Sequence, residues 1–179
     1  MKTLVTDRLK LRPWSPDDAD FVLDLYSRWE VQRFIGTAPR VMADRAEAVD
    51  RISAWRALEH PVHAIWAVEI AETGALAGTL LLKSIPASGD ATPLQPSGDT
   101  EIGWHFHPDH WRRGYASEAA SAALQYAFDS GLEKVVAVTS PLNLASQRVC
   151  TRIGMTPVGL TSKYYNATCE LFVATADPR

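Results

Sequence analysis

Residues 101–131, EIGWHFHPDHWRRGYASEAASAALQYAFDSG, contain the pattern that decides the fold. Apolar and polar residues alternate from 100 to 107, which predicts a strand with Ile102, Trp104 and Phe106 on one face. A turn with two arginines and a glycine follows, and small residues then recur at helical spacing up to a final glycine, which predicts a helix lying close to a sheet. A strand that passes through a glycine-bearing turn into a helix is a general arrangement for binding a diphosphate, because the start of a helix offers free N–H donors.

The rest of the chain extends this unit into a longer series of helices and strands. The predicted order, βααβββαβαββ, is typical of an α/β sandwich around a central mixed sheet, and the length favours a single domain over residues 1–179. Ser84 to Asp99 contains three prolines and two glycines, which predicts an irregular, exposed connection and raises the question of a flap over the site. Helices are predicted at 16 to about 29, 43–58, 116–131 and 143–153, and strands at 9–11, 65–70, 76–82, 100–107, 134–139, 158–160 and 169–174.

Composition excludes several functional classes. The net charge of −3 gives no overall attraction to nucleic acid or to an anionic membrane, so neither is an expected partner. No apolar run reaches the ~18 residues of a membrane span, and the N-terminus lacks the apolar run of a signal peptide, which predicts a cytoplasmic protein. Cys150 and Cys169 lack the spacing of a zinc site or a disulfide framework. We therefore expect no metal and interpret both thiols as apolar filling in a reducing compartment.

Three separated stretches carry a family resemblance. They are TDRLKLRPWSPDDADFVLDLY at 6–26, EIGWHFHPDHWRRGYASEA at 101–119 and NLASQRVCTRIGM at 143–155. Their order and their span over nearly the whole chain resemble the GNAT superfamily of N-acetyltransferases and, within it, the RimJ/RimL branch. The resemblance implies a GNAT-like α/β fold, in which about four helices flank a mixed, partly splayed sheet. It also implies transfer of an acetyl group from the co-substrate acetyl-CoA to a primary amine by direct attack in a ternary complex.

The resemblance assigns a set of cofactor-binding residues. The family's phosphate motif, Q/R-x-x-G-x-G/A, falls on 111–116, where main-chain donors would hold the diphosphate. Trp111 departs from the family's Gln or Arg. The residues so assigned are Trp111, Arg112, Arg113, Gly114, Tyr115 and Ala116.

The resemblance also locates the pantetheine arm of the cofactor. Backbone groups of Phe106 and His107 would pair with the arm as with an added strand, in a slot opened near Thr139. Asn143 would hydrogen-bond the cofactor, cap its own helix, or do both. Ser146 is the last of the expected cofactor contacts.

Catalysis by direct attack needs a neutral amine, a donor for the developing oxyanion and a proton for the leaving thiolate. Glu101 is the preferred general base, and its alternative is a structural carboxylate that braces a neighbouring loop. Ser146 matches a position proposed to protonate the sulfur, and its alternative is a bond to its own helix. His105, together with His107, is interpreted as a proton relay or as a cleft wall. A backbone N–H near His105 or Phe106 would serve the oxyanion.

Two tyrosines and the acceptor leave alternatives open. Tyr164 and Tyr165 lie where some family members place an acid or a substrate wall, but packing is the other interpretation. The acceptor is a protein N-terminal α-amine or a small-molecule amine, and we consider a homodimer. The alternative function is a non-catalytic acyl-CoA-binding or regulatory module. Cys150 lies within a predicted helix, which disfavours an acyl-cysteine route, and the absence of G-x-G-x-x-G in the first βα turn disfavours a Rossmann nucleotide binder.

Overall fold

An eight-stranded mixed sheet organises the chain in the computed structural model, which describes residues 1–176. The strands run in the order β1-β2-β3-β4-β5-β6-β8-β7, and every neighbouring pair is antiparallel except β5 and β6. The predicted mixed sheet is therefore confirmed. The strands are β1 (Leu4–Val5), β2 (Leu9–Arg12), β3 (Ala64–Ile70), β4 (Leu76–Pro86), β5 (Pro96–Phe106), β6 (Lys134–Thr139), β7 (Thr156–Thr161) and β8 (Cys169–Thr175).

Helices cover both faces of this sheet. On one face, Ile65 and Ala67 of β3 pack with the first helices, and on the other face Trp66 packs with the later ones. This division follows from the alternation of side chains along a strand. The helices are α1 (Ala19–Ser27), α2 (Trp29–Gln32), α3 (Arg45–Arg56), α4 (Tyr115–Asp129) and α5 (Leu144–Arg152).

Helix α4 is the crossover that makes β5 and β6 parallel. Its stripe of small residues, which includes Ala119, Ala120, Ala123 and Ala127, is completely buried. Side chains this small let the helix backbone lie close to the sheet, next to β4 and β5. The start of α4 is thereby fixed at the end of β5.

The prediction for Ser84–Asp99 is wrong at both ends. Strand β4 continues to Pro86 and β5 begins at Pro96, with Ser84 paired to Thr100 and Pro86 paired to Pro96 across an irregularity in register. Ile85 is fully buried, so extension of the hairpin outweighs the turn preference of the prolines and glycines. The prolines lie at the hairpin tip, where a missing N–H costs no central ladder bond.

The N-terminal half differs from its prediction in smaller ways. The first helix ends at Ser27 instead of about Trp29, because Arg28 is extended (φ −87°, ψ 119°) before the short α2. Ser15 forms the expected capping contact, but with a 3-10 turn at 16–18 that precedes α1. The two-residue strand β1 was not predicted, because no alternation of apolar and polar residues marks it in the sequence.

Candidate active site

A cleft of about 1140 Å³ opens where β5 and β6 separate. The two strands pair at one position, Glu101 with Val136. Beyond it β6 follows β8 as far as Thr139, while β5 follows β4 as far as Phe106. The sheet is therefore splayed at this point, and one edge of β5 faces the cleft.

The free edge of β5 presents main-chain groups to the cleft. His107 N donates to Ala77 O over 2.9 Å. Because bonding directions alternate along an antiparallel strand, Trp104 and Phe106 direct their main-chain groups away from β4 and toward the gap. Phe106 O accepts a bond of 2.7 Å from Trp111 Nε1. The remaining groups at this edge are the Phe106 N–H and both main-chain groups of Trp104.

The loop between β5 and α4 is shaped to receive an anion. Arg112 (φ 61°) and Gly114 (φ 81°) are both left-handed, and Gly114 is the N-cap of the 15-residue α4 with no side-chain cap. Glu118 N is the first amide to bond back into the helix, to Gly114 O at 3.0 Å. The amides of residues 115–117 therefore have no helical acceptor, and the helix dipole adds to their attraction for negative charge.

A clamp of two charged residues, Arg8 and Glu118, fixes this loop. Glu118 accepts from Thr6 Oγ1 at 2.6 Å, from Arg8 N at 2.9 Å and from Arg8 Nε at 2.7 Å. Arg8 Nη1 donates to Arg113 O over 3.0 Å, and the guanidinium lies 5.0 Å from the centre of the Tyr115 ring. The sequence patterns did not indicate this clamp, since its members are 110 positions apart. Each lies within a stretch that carries the family resemblance, which was the one available signal.

A buried carboxylate lies at the other end of the cleft. Glu101 is 8% exposed, accepts a hydrogen bond from Tyr165 Oη, and lies 3.4 Å from Lys83 Nζ. Burial raises the pKa of Glu101, and Lys83 and Tyr165 oppose that rise without cancelling it. Burial and the neighbouring Glu101 also raise the pKa of Tyr165, which therefore stays protonated and can donate. These contacts brace the loop of Tyr165, and Glu101 also lines the cleft, so both roles considered for Glu101 stay open.

The two adjacent tyrosines have different surroundings. Tyr165 lines the cleft, whereas Tyr164 is buried and donates to Asp99 over 2.7 Å. Tyr165 and Asn166 are both left-handed (φ 59° and 52°). The Asn166 side chain holds this conformation by bonding the N–H and C=O of Gly89 at 2.8 and 3.0 Å. The hairpin tip of β4 and β5 thus supports the loop that presents Tyr165.

His105 is neutral at physiological pH. Tyr26 Oη donates its one proton to Thr79 Oγ1 over 3.0 Å, so the protonated Nδ1 of His105, 2.9 Å away, donates to Tyr26 Oη. Burial, with the nearby positive charges of Arg51 and Lys83, lowers the pKa of His105 to about 4. His105 lines the cleft, and with Nδ1 engaged only Nε2 is available for an exchange of protons.

Helix α5 forms the wall opposite β5. Asn143 Oδ1 accepts from Ser146 N at 3.2 Å, so Asn143 caps the helix. Among residues 1–176 the Ser146 hydroxyl bonds neither its own helix nor another protein group, in contrast to Thr151, whose hydroxyl bonds Gln147 O at 3.2 Å. Cys150 is fully buried, and burial raises the pKa of its thiol to about 12, in agreement with its interpretation as core.

The cleft brings together most of the residues assigned from the sequence. His107 and Arg113 are the exceptions. His107 is buried, and its Nε2 lies 3.1 Å from Asp24 Oδ2. Arg113 does not line the cleft, but its carbonyl accepts a hydrogen bond from Arg8 in the clamp. Trp111, which stands where the family's motif has Gln or Arg, links the loop to the end of β5 through its bond to Phe106 O. The assigned residues that line the cleft are Glu101, His105, Phe106, Trp111, Arg112, Gly114, Tyr115, Ala116, Asn143 and Ser146.

Metal ligands and membrane spans are not found within residues 1–176. In that range no three or more His, Cys, Asp or Glu side chains are grouped to hold a metal ion. None of the helices described there has the length and apolar character needed to cross a bilayer.

Comparison with known proteins identifies the family. Residues 8–156 match the model of the acetyltransferase (GNAT) domain. The uncharacterized N-acetyltransferase YoaA of Bacillus subtilis is 32% identical over 163 residues, which cover 90% of this chain and 86% of that protein. The FsC-acetyl coenzyme A-N(2)-transacetylase of Aspergillus fumigatus is 31% identical over 157 residues, 87% of this chain and 66% of that protein. Mycobacterium smegmatis RimJ in complex with CoA-disulfide shares the fold (TM-score 0.72, 21% identity, 94% and 82% of the two chains). The chain therefore belongs to the GNAT family of acetyltransferases.

Proposed function

We propose that the protein transfers an acetyl group from acetyl-CoA to a primary amine by direct attack in a ternary complex. The observation that carries the proposal is the continuity of one cleft. A strand edge with free main-chain groups leads directly into a left-handed loop and a helix start that can hold a diphosphate. A ligand that fits this order has a long amide-containing arm, which can pair with the strand edge, joined to a diphosphate, which can bind at the helix start. The Aspergillus fumigatus relative, which is named for acetyl coenzyme A, and the RimJ complex with CoA-disulfide support the same ligand.

The proposed contacts follow the cleft from one end to the other. The pantetheine amides pair with the main chain of Trp104 and Phe106, as in strand addition. This refines the expectation for His107, whose amide already bonds Ala77. The Trp104 N–H, next to His105, is the donor for the developing oxyanion, because it points into the gap and has no partner in β4, and the Phe106 N–H is then left for the pantetheine arm. The diphosphate occupies the free amides of residues 115–117.

Two side chains are proposed to move protons. Glu101 takes the proton from the amine, directly or through water, because burial raises its pKa and thus makes it a better acceptor than an ordinary carboxylate. Ser146 gives a proton to the leaving thiolate, which its free hydroxyl favours over the alternative of a bond to its own helix. His105 is proposed to line the acceptor side in its neutral form, with Nε2 able to accept a proton.

The acceptor is proposed to be a protein N-terminal α-amine or a small-molecule amine.

The proposed activity is tested by following CoA release with a thiol reagent on a panel of N-terminal peptides and small amines. Acetyl-CoA binding is measured in parallel. Release that depends on one acceptor class supports the proposal. Saturable binding without release on any acceptor would favour the non-catalytic binding or regulatory module instead.

The remaining proposals concern the state of the protein in the cell. We infer one domain over residues 1–179, a cytoplasmic location and partners that include no nucleic acid or membrane. A homodimer stays a prediction, for which sedimentation equilibrium over a range of concentrations is the measurement.

A further inference from the structure

The carboxylates of the cleft are confined to one part of it. Glu30 and Glu101 belong to α2 and to the middle of β5, where the cations Arg33 and Lys83 also line the cleft. At the end where the left-handed loop enters α4, the lining charges are instead the arginines Arg112, Arg148 and Arg152. One end of the cleft is therefore basic, although the chain as a whole carries a net charge of −3.

One face of α5 runs toward this basic end. Ala145, Arg148 and Arg152 line the cleft, and their spacing of three and four residues places them on one side of a helix. Arg152 Nη1 donates to Ser117 Oγ over 3.4 Å, so its guanidinium lies at the first turn of α4. From Ser146 to Arg152 the helix advances about 9 Å, which separates the proposed thioester end from the phosphate end.

Arg148 and Arg152 have no acidic partner among residues 1–176. Arg8 is the contrasting case, since Glu118 neutralises it. Guanidinium groups bind phosphate oxygens strongly and in defined geometry. In the proposed site the main-chain amides at the start of α4 hold the diphosphate, which leaves these two side chains for another phosphate group.

We propose that Arg148 and Arg152 form a subsite for a third phosphate, the 3′-phosphate on the ribose of CoA. The protein then distinguishes CoA from 3′-dephospho-CoA. This inference rests on the proposed acetyl-CoA site and adds a specificity that main-chain binding of the diphosphate does not supply.

Calorimetric titration with CoA and with 3′-dephospho-CoA tests the subsite. We expect wild type to bind CoA about tenfold more tightly, a ratio equivalent to ~1.4 kcal/mol. In Arg148→Gln/Arg152→Gln the CoA affinity should fall to the level of 3′-dephospho-CoA, whose own affinity should change less than about twofold. The matched control, Arg40→Gln/Arg45→Gln, also removes two positive charges, both outside the cleft, and should keep the wild-type ratio.

The outcomes separate the subsite from the proposed function. Equal affinity of wild type for the two ligands, or an unchanged ratio in the double variant, overturns the subsite and leaves the acetyl-CoA proposal standing. Failure of wild type to bind either ligand overturns both. The wild-type comparison needs no variant, so equal affinity for the two ligands overturns the subsite even if the double variant does not fold.

Discussion

The clamp between Glu118 and Arg8 leads to a prediction on stability. The Glu118 carboxylate is 18% exposed and lies 2.6 Å from Arg8 Nη2, while the Arg8 side chain is 51% exposed. Glu118→Gln keeps one oxygen that can accept from Thr6 or from the Arg8 amide, but it removes the ion pair. The N-terminal segment would then be held to α4 less firmly, and with it the loop at Arg113.

The expected loss follows from these exposures. A pair with one half-exposed partner contributes about 0.5–1 kcal/mol, and the loss of charge on the hydrogen-bond acceptor removes roughly another 1 kcal/mol. We therefore expect Glu118→Gln to lower the free energy of unfolding by about 1.5–2 kcal/mol, or Tm by roughly 3–8 °C for a chain of this size.

The loss should depend on pH. Burial raises the pKa of Glu118, but hydrogen bonds from Thr6 and Arg8 outweigh burial and leave the pKa lowered. A carboxylate with a lowered pKa in the folded state stabilises fully above its ordinary pKa of about 4.3, and this stabilisation is lost as the pH falls through the folded-state value. The gap between wild type and variant should therefore be full at pH 7 and shrink in acid.

Urea unfolding at pH 7 and at several acidic pH values measures this gap. The control is Asp20→Asn, which breaks an exposed ion pair. The side chains of Asp20 and Arg45 are 80% and 57% exposed, so the loss of this pair should cost less than about 0.5 kcal/mol. A Glu118→Gln variant no less stable than the control at pH 7, or a gap that persists unchanged in acid, would refute the reasoning.

Three further predictions concern the site. Gly114→Trp should weaken CoA binding more than about tenfold, because φ is +81° and the new side chain starts 3.3 Å from Arg8 Nη2; calorimetry with circular dichroism tests this, and an unchanged Kd in a folded variant contradicts it. Glu101→Gln should lower kcat by about 10²-fold or more near neutral pH and abolish the acidic limb of the pH–rate profile, which in wild type should lie above the range of an ordinary carboxylate; a retained limb removes Glu101 as the base. Cys150→Ala should keep kcat while lowering stability by roughly 1–2 kcal/mol, and loss of turnover in a stable variant would bring back the acyl-cysteine route.

Local pattern predicted the elements whose buried face repeats at a short period along the sequence. Alternation over 100–107 and the small-residue stripe of α4 correspond to β5 and to the completely buried face of that helix. The prediction of an irregular connection at 84–99 was wrong because the residues that pair and pack with this stretch lie outside it. Ser84 is held by Thr100, and Ile85 packs in the same cluster as Tyr164. Turn preferences are weak compared with pairing in an existing hairpin and burial of an apolar side chain.

Within the candidate site the same division holds. The loop at 111–114 was predicted because its glycine and the following helix are contiguous in the chain. Three other features were not predicted, since each depends on segments far apart in sequence. They are the Arg8–Glu118 pair, the contact of Arg152 with Ser117 and the difference between Tyr164 and Tyr165.

The sequence by itself indicated the family, the loop that begins α4 and the order of all the elements except the short β1 and α2. It could do so because short-range periodicity and contiguous motifs fix backbone conformation locally. Only the tertiary structure decided that β5 and β6 pair at a single position, which main-chain groups of β5 stay free, and that the amide of His107 is already engaged with Ala77. The physical reason is that strand register and the pairing of distant charges are set by packing of the whole sheet against its helices, and no local stretch of sequence contains that information.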